Sequence, residues 1–237
     1  MRFVRAGYFF CALAYALLFT TASSYATFLS VLIDSKGSIT ANDKIFSNFA
    51  VVADSTTNGG IVDLSKIDVT PLNNDPLDPG LNFAAPLDAI GTPFAHQGPS
   101  SALLSFSFDV QTIDHRPLIK DNSLILTGFA FDAGPGAFIL VSEDLTNAAG
   151  KAIGHKLTFA QPGEQPGSSA NHSDVAVFTP TDFVHVVKSI TVQGPLTNYG
   201  AFLTGFQQRF SQVPEPSGLA LGLAALFGGM FALRRGR

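Results

Sequence analysis

Leu104-Ser105-Phe106-Ser107-Phe108-Asp109-Val110 is the run from which the fold reading starts. Apolar and polar residues alternate strictly, which places every second side chain on one face of an extended strand and wets the other. Twenty residues on, Leu124-Ile125-Leu126-Thr127-Gly128-Phe129-Ala130-Phe131 is apolar on both faces and predicts a central strand. Working outward, apolar runs of strand length occupy 28–33, 46–53 and 61–69, with Asn58-Gly59-Gly60 between the last two as a hairpin turn signal. Further strands are expected at 137–142, 156–159, 174–178, 183–192 and 201–210, separated by Gly and Pro. Helical periodicity is weak throughout. Thr181–Lys188 could form a short helix and Leu87–Ile90 a single turn. Eight to ten short strands predict an all-β fold, a single antiparallel β-sandwich or jelly-roll-like domain.

One stretch resists this pattern. Residues 70–101 carry six prolines (Pro71, Pro76, Pro79, Pro86, Pro93 and Pro99) and little alternation. They are expected to form an irregular excursion over one end of the sandwich, tacked down by Leu81, Phe83, Leu87 and Phe94. Residues 161–169 read as a smaller flexible loop, and no internal repeat is evident.

Both ends of the 237-residue chain differ from this body. Met1 to Arg5 is basic, Ala6 to Phe19 is apolar, and Ser24 and Ala26 form a small–x–small exit. These are the parts of a secretory signal peptide over residues 1–26, with cleavage after Ala26 by signal peptidase on the general secretion route. At the other end, Val213-Pro214-Glu215-Pro216-Ser217 precedes 16 uncharged residues, Gly218 to Leu233, and then Arg234-Arg235-Gly236-Arg237. As a helix the apolar run spans about 24 Å, and arginine snorkelling extends its reach toward a hydrocarbon core of ~30 Å. The terminal arginines favour the cytoplasm, so a C-terminal transmembrane helix would leave the body outside, in agreement with the N-terminal signal. Pro214 and Pro216 remove two backbone donors and hold Val213–Pro216 extended above the membrane, with the Glu215 carboxylate as one charge to recognise.

This tripartite arrangement over residues 213–237 resembles the PEP-CTERM sorting signal of Gram-negative bacteria. The resemblance implies recognition by exosortase, a transpeptidase-like membrane protease thought to process such proteins near the Pro-Glu-Pro motif. Val213, Pro214, Glu215, Pro216 and Ser217 would then be the sorting motif, and Arg234, Arg235 and Arg237 the membrane stop. It carries no information about the fold of the preceding residues.

Between the ends lie residues 27–212, the expected exported β-sandwich domain. They hold 9 Lys and Arg against 17 Asp and Glu, a net charge of −8. Such a body repels phosphate backbones, and nucleic acid is excluded as a partner. It holds no cysteine, so disulfides are excluded and stability must come from the core.

Chemistry is sparse. The histidines are His96, His115, His155, His172 and His185, and the only glutamates of the body are Glu143 and Glu164. No Gly-x-Ser-x-Gly elbow and no spacing of paired carboxylates stands out, so no catalytic residues and no cofactor are assigned. Zinc-type histidine spacing is absent. Asn73-Asn74-Asp75-Pro76-Leu77-Asp78-Pro79-Gly80 gathers oxygen ligands, which makes Asp75 and Asp78 a weak calcium candidate against an ordinary Asn/Asp turn. A stacking sugar site is disfavoured. Tryptophan is absent, Tyr199 is the one tyrosine outside the signal peptide, and the 16 phenylalanines of the body read as core.

The expected function is therefore an exported, non-enzymatic surface or extracellular-matrix protein with a structural or adhesive role. It would be inserted in the inner membrane with its body on the periplasmic side, then processed and delivered to the cell surface or medium. Extracellular polysaccharide is a candidate partner. The alternative is a secreted carbohydrate-binding module or carbohydrate-active enzyme on the same scaffold.

Overall fold

The strand at 104–110 extends in both directions and sits at the heart of the architecture. The structure, a computed structural model, describes residues 26–92, 99–132, 136–195 and 200–213. In chain order these form β1 (Thr27–Phe28), α1 (Leu29–Asp34), β2 (Ile39–Ala41), β3 (Lys44–Thr57), β4 (Ile61–Val62), β5 (Asp68–Leu72), β6 (Gly80–Ala84), β7 (Ile90–Gly91) and β8 (Ser101–Thr112). There follow β9 (Ile119–Phe131), β10 (Phe138–Thr146), β11 (Ala152–Ala160), β12 (Ser173–Thr181), β13 (Phe183–Gln193) and β14 (Ala201–Arg209).

The strands make two antiparallel sheets. One has six strands in the order β11-β10-β13-β8-β3-β2. The other has eight: β14 is bordered on one side by β9 and then β12, and on the other by β6, β5 and β1 and by the short β7 and β4. The expected antiparallel β-sandwich is what the chain forms. The alternation rule is carried most cleanly by β13, where Val184, Val186, Lys188, Ile190 and Val192 are buried and the residues between them are not. Phenylalanines join the sheets. Phe46, Phe49, Phe106 and Phe108 come from one, Phe83, Phe206 and nearby Phe210 from the other, with Phe83 stacked on Phe206 at 4.6 Å and Phe46 edge-on to Phe210 at 5.7 Å. Stacked and edge-to-face contacts of this kind add to the burial of the rings themselves.

Several local expectations are corrected. Residues 28–33 are not one strand: α1 begins at Leu29 because Leu29 and Leu32, three apart, share the buried face, and Ser35 closes the helix on the Val31 carbonyl through both its N–H and its hydroxyl. Asn58-Gly59-Gly60 does turn, with Asn58 and Gly59 both at positive φ and the Gly60 N–H donating to Thr57 O. It does not close a hairpin, however. β3 pairs with β8 while β4 pairs with β7 in the other sheet, so the turn carries the chain across the sandwich. Gly60 is required there, since a Cβ would lie 1.9 Å from the Ser101 carbonyl oxygen.

The proline-rich stretch is likewise no irregular excursion. It supplies most of β5 and all of β6 and β7, and Leu81 and Phe83 are fully buried, whereas Leu87 is half exposed and Phe94 lies outside the described residues. Pro76, Pro79 and Pro86 sit in the connections, where they cost no ladder bond, and Pro71 lies within β5 opposite Leu81. Residues 87–89 form the expected turn, with Ala89 N–H donating to Pro86 O. Thr181–Lys188 is no helix, since Thr181 ends β12, Asp182 is a bend and Phe183–Lys188 opens β13, and Leu157 and Phe159 belong to a β11 about twice as long as expected.

Candidate functional site

The six-stranded sheet turns one face to the core and the other outward. Cross-strand register lays its side chains in rows. One row runs Phe159–Leu140–Thr191–Leu103–Ser55 and the next Leu157–Ser142–Ser189–Ser105–Ala53. Towards the opposite end lie His155–Asp144–Val187–Ser107–Ala50 and then Thr146–His185–Asp109–Ser47. One end of the face is thus aliphatic and aromatic, the middle is hydroxyl-bearing and the far end is ionisable.

The polar end is held in place by specific bonds. His185 Nδ1 lies 2.6 Å from Asp109 Oδ1, and the Asn48 amide donates to the other carboxylate oxygen at 2.7 Å. Asn48 stands at positive φ inside the bulge between Ser47 and Ala50, and this extra residue is what aims its side chain at Asp109. His155 Nδ1 and Asp144 Oδ1, also cross-strand partners, are 2.8 Å apart. In the middle, the Ser105 and Ser189 hydroxyls meet at 3.1 Å. At the apolar end, Phe138 and Phe159 stack with centroids 6.1 Å apart, both on the outward side and neither fully buried. The expectation that the phenylalanines of the body are core residues is wrong for this pair.

Each described histidine bonds a carboxylate: besides the two above, His115 Nδ1 lies 2.6 Å from Asp182 and His172 Nε2 3.1 Å from Glu164. The bond to His172 draws the Glu164 carboxyl below the usual range. Among the described residues none of these pairs is joined by a serine or threonine hydroxyl into a relay. The two glutamates of the body share no partner, because Glu143 is enclosed between the sheets whereas Glu164 caps the 161–169 loop. A separate open cleft of about 670 Å³ lies between the β10–β11 turn and the end of β12, lined by Asn147, Lys151, Ile153, Val177, Phe178 and Pro180.

The Asp75/Asp78 loop turns its oxygens to protein donors. Asp75 accepts from Leu77 N–H at 2.9 Å, Asp78 from the Ser211 hydroxyl at 3.0 Å, Asn73 from Asn42 N–H at 2.8 Å and Asn74 from the Arg209 guanidinium at 3.1 Å. These are the local bonds that make Asn and Asp turn residues, and the cationic charge beside them is supplied by Arg209. Among the described residues no three His, Cys, Asp or Glu side chains gather as a metal site.

Sequence reasoning missed the most unusual constellation, which lies inside. Glu143 has Lys156 and Lys188 as its cross-strand neighbours on either side, and all three side chains are fully buried. Lys188 Nζ donates to Glu143 Oε2 and sits 5.0 Å above the Phe206 ring. Lys156 Nζ approaches Oε1 to 2.7 Å, but at an angle that makes this an ion contact without a hydrogen bond. From the opposite sheet Gln208 Nε2 donates to the same Oε1 at 2.6 Å, and Asn122 beside it donates to Arg209 O. Burial lowers the pKa of both ammonium groups, that of Lys156 to about 8. The signal was available in the alternation: Glu143, Lys156 and Lys188 each occupy the inward register of their strand.

Of the sorting residues, Val213 is described and donates its N–H to Leu118 O at 2.9 Å, and Ala26 lies exposed just before β1. Pro214, Glu215, Pro216, Ser217, Arg234, Arg235 and Arg237, and the signal segment before Ala26, lie outside the described residues. Among the described residues no helix is long and apolar enough to cross a membrane.

No protein-family model matches the chain, and no curated protein does. Among solved structures it is similar to the mannan-recognising carbohydrate-binding module TmCBM27, at TM-score 0.29 and 7% identity over 70% of this chain and 99% of that one. A second is the module TmCBM61 in complex with β-1,4-galactotriose, at TM-score 0.24 and 10% identity over 66% and 88%. A third is a DUF4465 family protein from Bacteroides caccae, at TM-score 0.23 and 12% identity over 68% and 98%. The likeness goes no further than the β-sandwich architecture that the strand pairing itself displays.

Proposed function

We propose that this chain is an exported, non-enzymatic surface or matrix protein that acts by contact, and that the outward face of its six-stranded sheet is the contacting surface. Polysaccharide is the class of partner. The observation that carries this reading is the joint layout of that face: a stacked pair of outward phenyl rings at one end, hydroxyls in the middle and fixed His–Asp–Asn groups at the other end. A sugar chain needs both, since its hydroxyls require donors and acceptors held in place while its C–H faces pack on apolar rings. Delivery follows from the sequence of the ends, with the signal segment before Ala26 and exosortase-type processing at Val213–Ser217. An acidic body suits a polysaccharide partner better than an anionic membrane surface or nucleic acid.

The test is cosedimentation of the purified protein with the extracellular polysaccharide of the producing cells. Phe138→Ser with Phe159→Ser should abolish retention while leaving the far-UV spectrum unchanged. Equal retention of wild type and double variant would remove the face from consideration. In the same cells Glu215→Ala should accumulate unprocessed precursor in the inner membrane, and normal release of that variant would defeat the sorting half of the proposal.

A further inference from the structure

The Glu143 cluster holds one carboxylate and two ammonium groups, all fully buried. One buried positive charge is therefore left over without a carboxylate of its own in the cluster, Asp174 acting on Lys156 only from outside it, and a poorly compensated charge in a sandwich core is among the costliest features a fold can carry. Two further atoms there are buried without a hydrogen-bond partner, Lys156 Nζ and Gln208 Oε1. They belong to the two side chains that converge on Glu143 Oε1, at 2.7 Å for Lys156 Nζ and 2.6 Å for Gln208 Nε2. The two nitrogens can be no farther apart than those distances added together. An amine, a carboxamide and a carboxylate able to move protons between them are thus assembled out of water.

We propose that Lys156 and Gln208 become joined by an intramolecular amide bond, with Glu143 as the proton carrier. Glu143 Oε1 takes a proton from the Lys156 ammonium, and the freed Nζ lone pair attacks Gln208 Cδ. Glu143 then returns that proton to Nε2, to which it is already hydrogen-bonded. The Cδ–Nε2 bond breaks as the Nζ–Cδ bond is completed. Ammonia departs and takes up the second proton shed by Nζ. One ammonium and one carboxamide become one secondary amide and one ammonium ion, with no oxidant, reductant or cofactor. The depressed pKa of Lys156 brings the free amine within reach near neutral pH.

The product explains what the charged state leaves unresolved. Loss of ammonium ion removes the surplus positive charge and leaves Glu143 and Lys188 as a one-to-one pair. Lys156 is the better nucleophile of the two lysines, because Lys188 already makes a well-aligned bond to Oε2 and lies against Phe206. Gln208 is the better acceptor of the two amides, because it shares Glu143 Oε1 with Lys156, whereas the Asn122 amide donates to the Arg209 carbonyl. Lys156 belongs to the edge strand β11 of one sheet and Gln208 to β14 at the centre of the other. The bond would tie the layers together covalently in a body that has no cysteine.

Mass spectrometry of the purified full chain decides the matter. The wild type should be about 17 Da lighter than its sequence mass, the mass of one ammonia lost to acyl transfer. Trypsin should fail to cut after Lys156, and a branched peptide should contain both Lys156 and Gln208. Lys156→Arg keeps the charge but cannot form the amide, so it should show the full mass. A folded wild type of full mass would overturn the proposal. So would a deficit mapped to Lys188 or Asn122, or one that persists in Lys156→Arg. The wild-type peptide map stands by itself if a variant does not fold.

Discussion

Replacing Glu143 by glutamine removes the only buried counter-charge of Lys156 and Lys188 with almost no change of volume. Both ammonium groups stay enclosed, since all three side chains have no solvent exposure. The Gln208 amide also loses a charged acceptor at 2.6 Å. Breaking a buried ion pair in this way costs about 3–5 kcal/mol, against a total stability of about 5–15 kcal/mol for a domain of ordinary size. Glu143→Gln should therefore lose a large part of the folding free energy. The opposite experiment keeps the reasoning honest: Glu143→Leu combined with Lys156→Leu and Lys188→Met removes every charge and fills the space with apolar atoms. Such replacements are commonly neutral or stabilising, so the triple variant should unfold within about 1 kcal/mol of Gln208→Met, which likewise cannot form the amide, or above it. Without tryptophan in the chain, urea unfolding is followed by far-UV circular dichroism, and intact mass on each sample separates loss of the ion pair from loss of the amide. A Glu143→Gln midpoint within about 1 kcal/mol of wild type would show that water reaches these groups and refute the account of the core.

Gln208→Met leaves Lys156 a free amine, so its titration should appear in the stability of that variant. A lysine whose folded pKa is lowered to about 8 binds fewer protons than the unfolded chain above that pH. Its penalty is present in full below pH 8 and disappears as the pH rises toward the unfolded value. The expected gain between pH 7 and pH 10.5 is about 3 kcal/mol. Wild type carrying the amide should show no such rise from Lys156, and a flat profile in both would contradict the assignment. At the sheet crossover, Gly60→Ala forces a Cβ to 1.9 Å from a backbone oxygen that cannot yield. The chain must shift off β8, and thermal melting should show a loss of at least about 2 kcal/mol. An unchanged melting temperature would mean that the turn is not packed as described.

Strand identity was legible wherever the alternation was long. Residues 104–110 declared themselves because a sheet with one face buried admits only period two, 124–131 by an apolar run of strand length, whereas 183–192 overlapped the helix expected at Thr181–Lys188. The errors arose where local signals and pairing part company. Asn58-Gly59-Gly60 has the backbone of a hairpin turn, and nothing in three residues reveals that the strand after it belongs to another sheet. The prolines of 70–101 hid β5, β6 and β7, because proline excludes a residue from donating a ladder bond but not from the margin of a strand. Leu29 and Leu32 were legible as a helical pair only once α1 had a surface to cover.

From the residues alone come the period-two pattern of an all-β body, the absence of cysteine and tryptophan from that body, and the expectation of a signal segment and a sorting segment at the two ends. Such readings depend only on composition and on neighbours in the chain. The charged triad and the outward face depend on which strands lie side by side. Glu143, Lys156, Lys188 and Gln208 are spread over 66 residues, and four strands from two sheets bring them to a single carboxylate oxygen pair. Their chemistry exists only because long-range pairing excludes water from groups that each, in isolation, would be ordinary surface charges or amides.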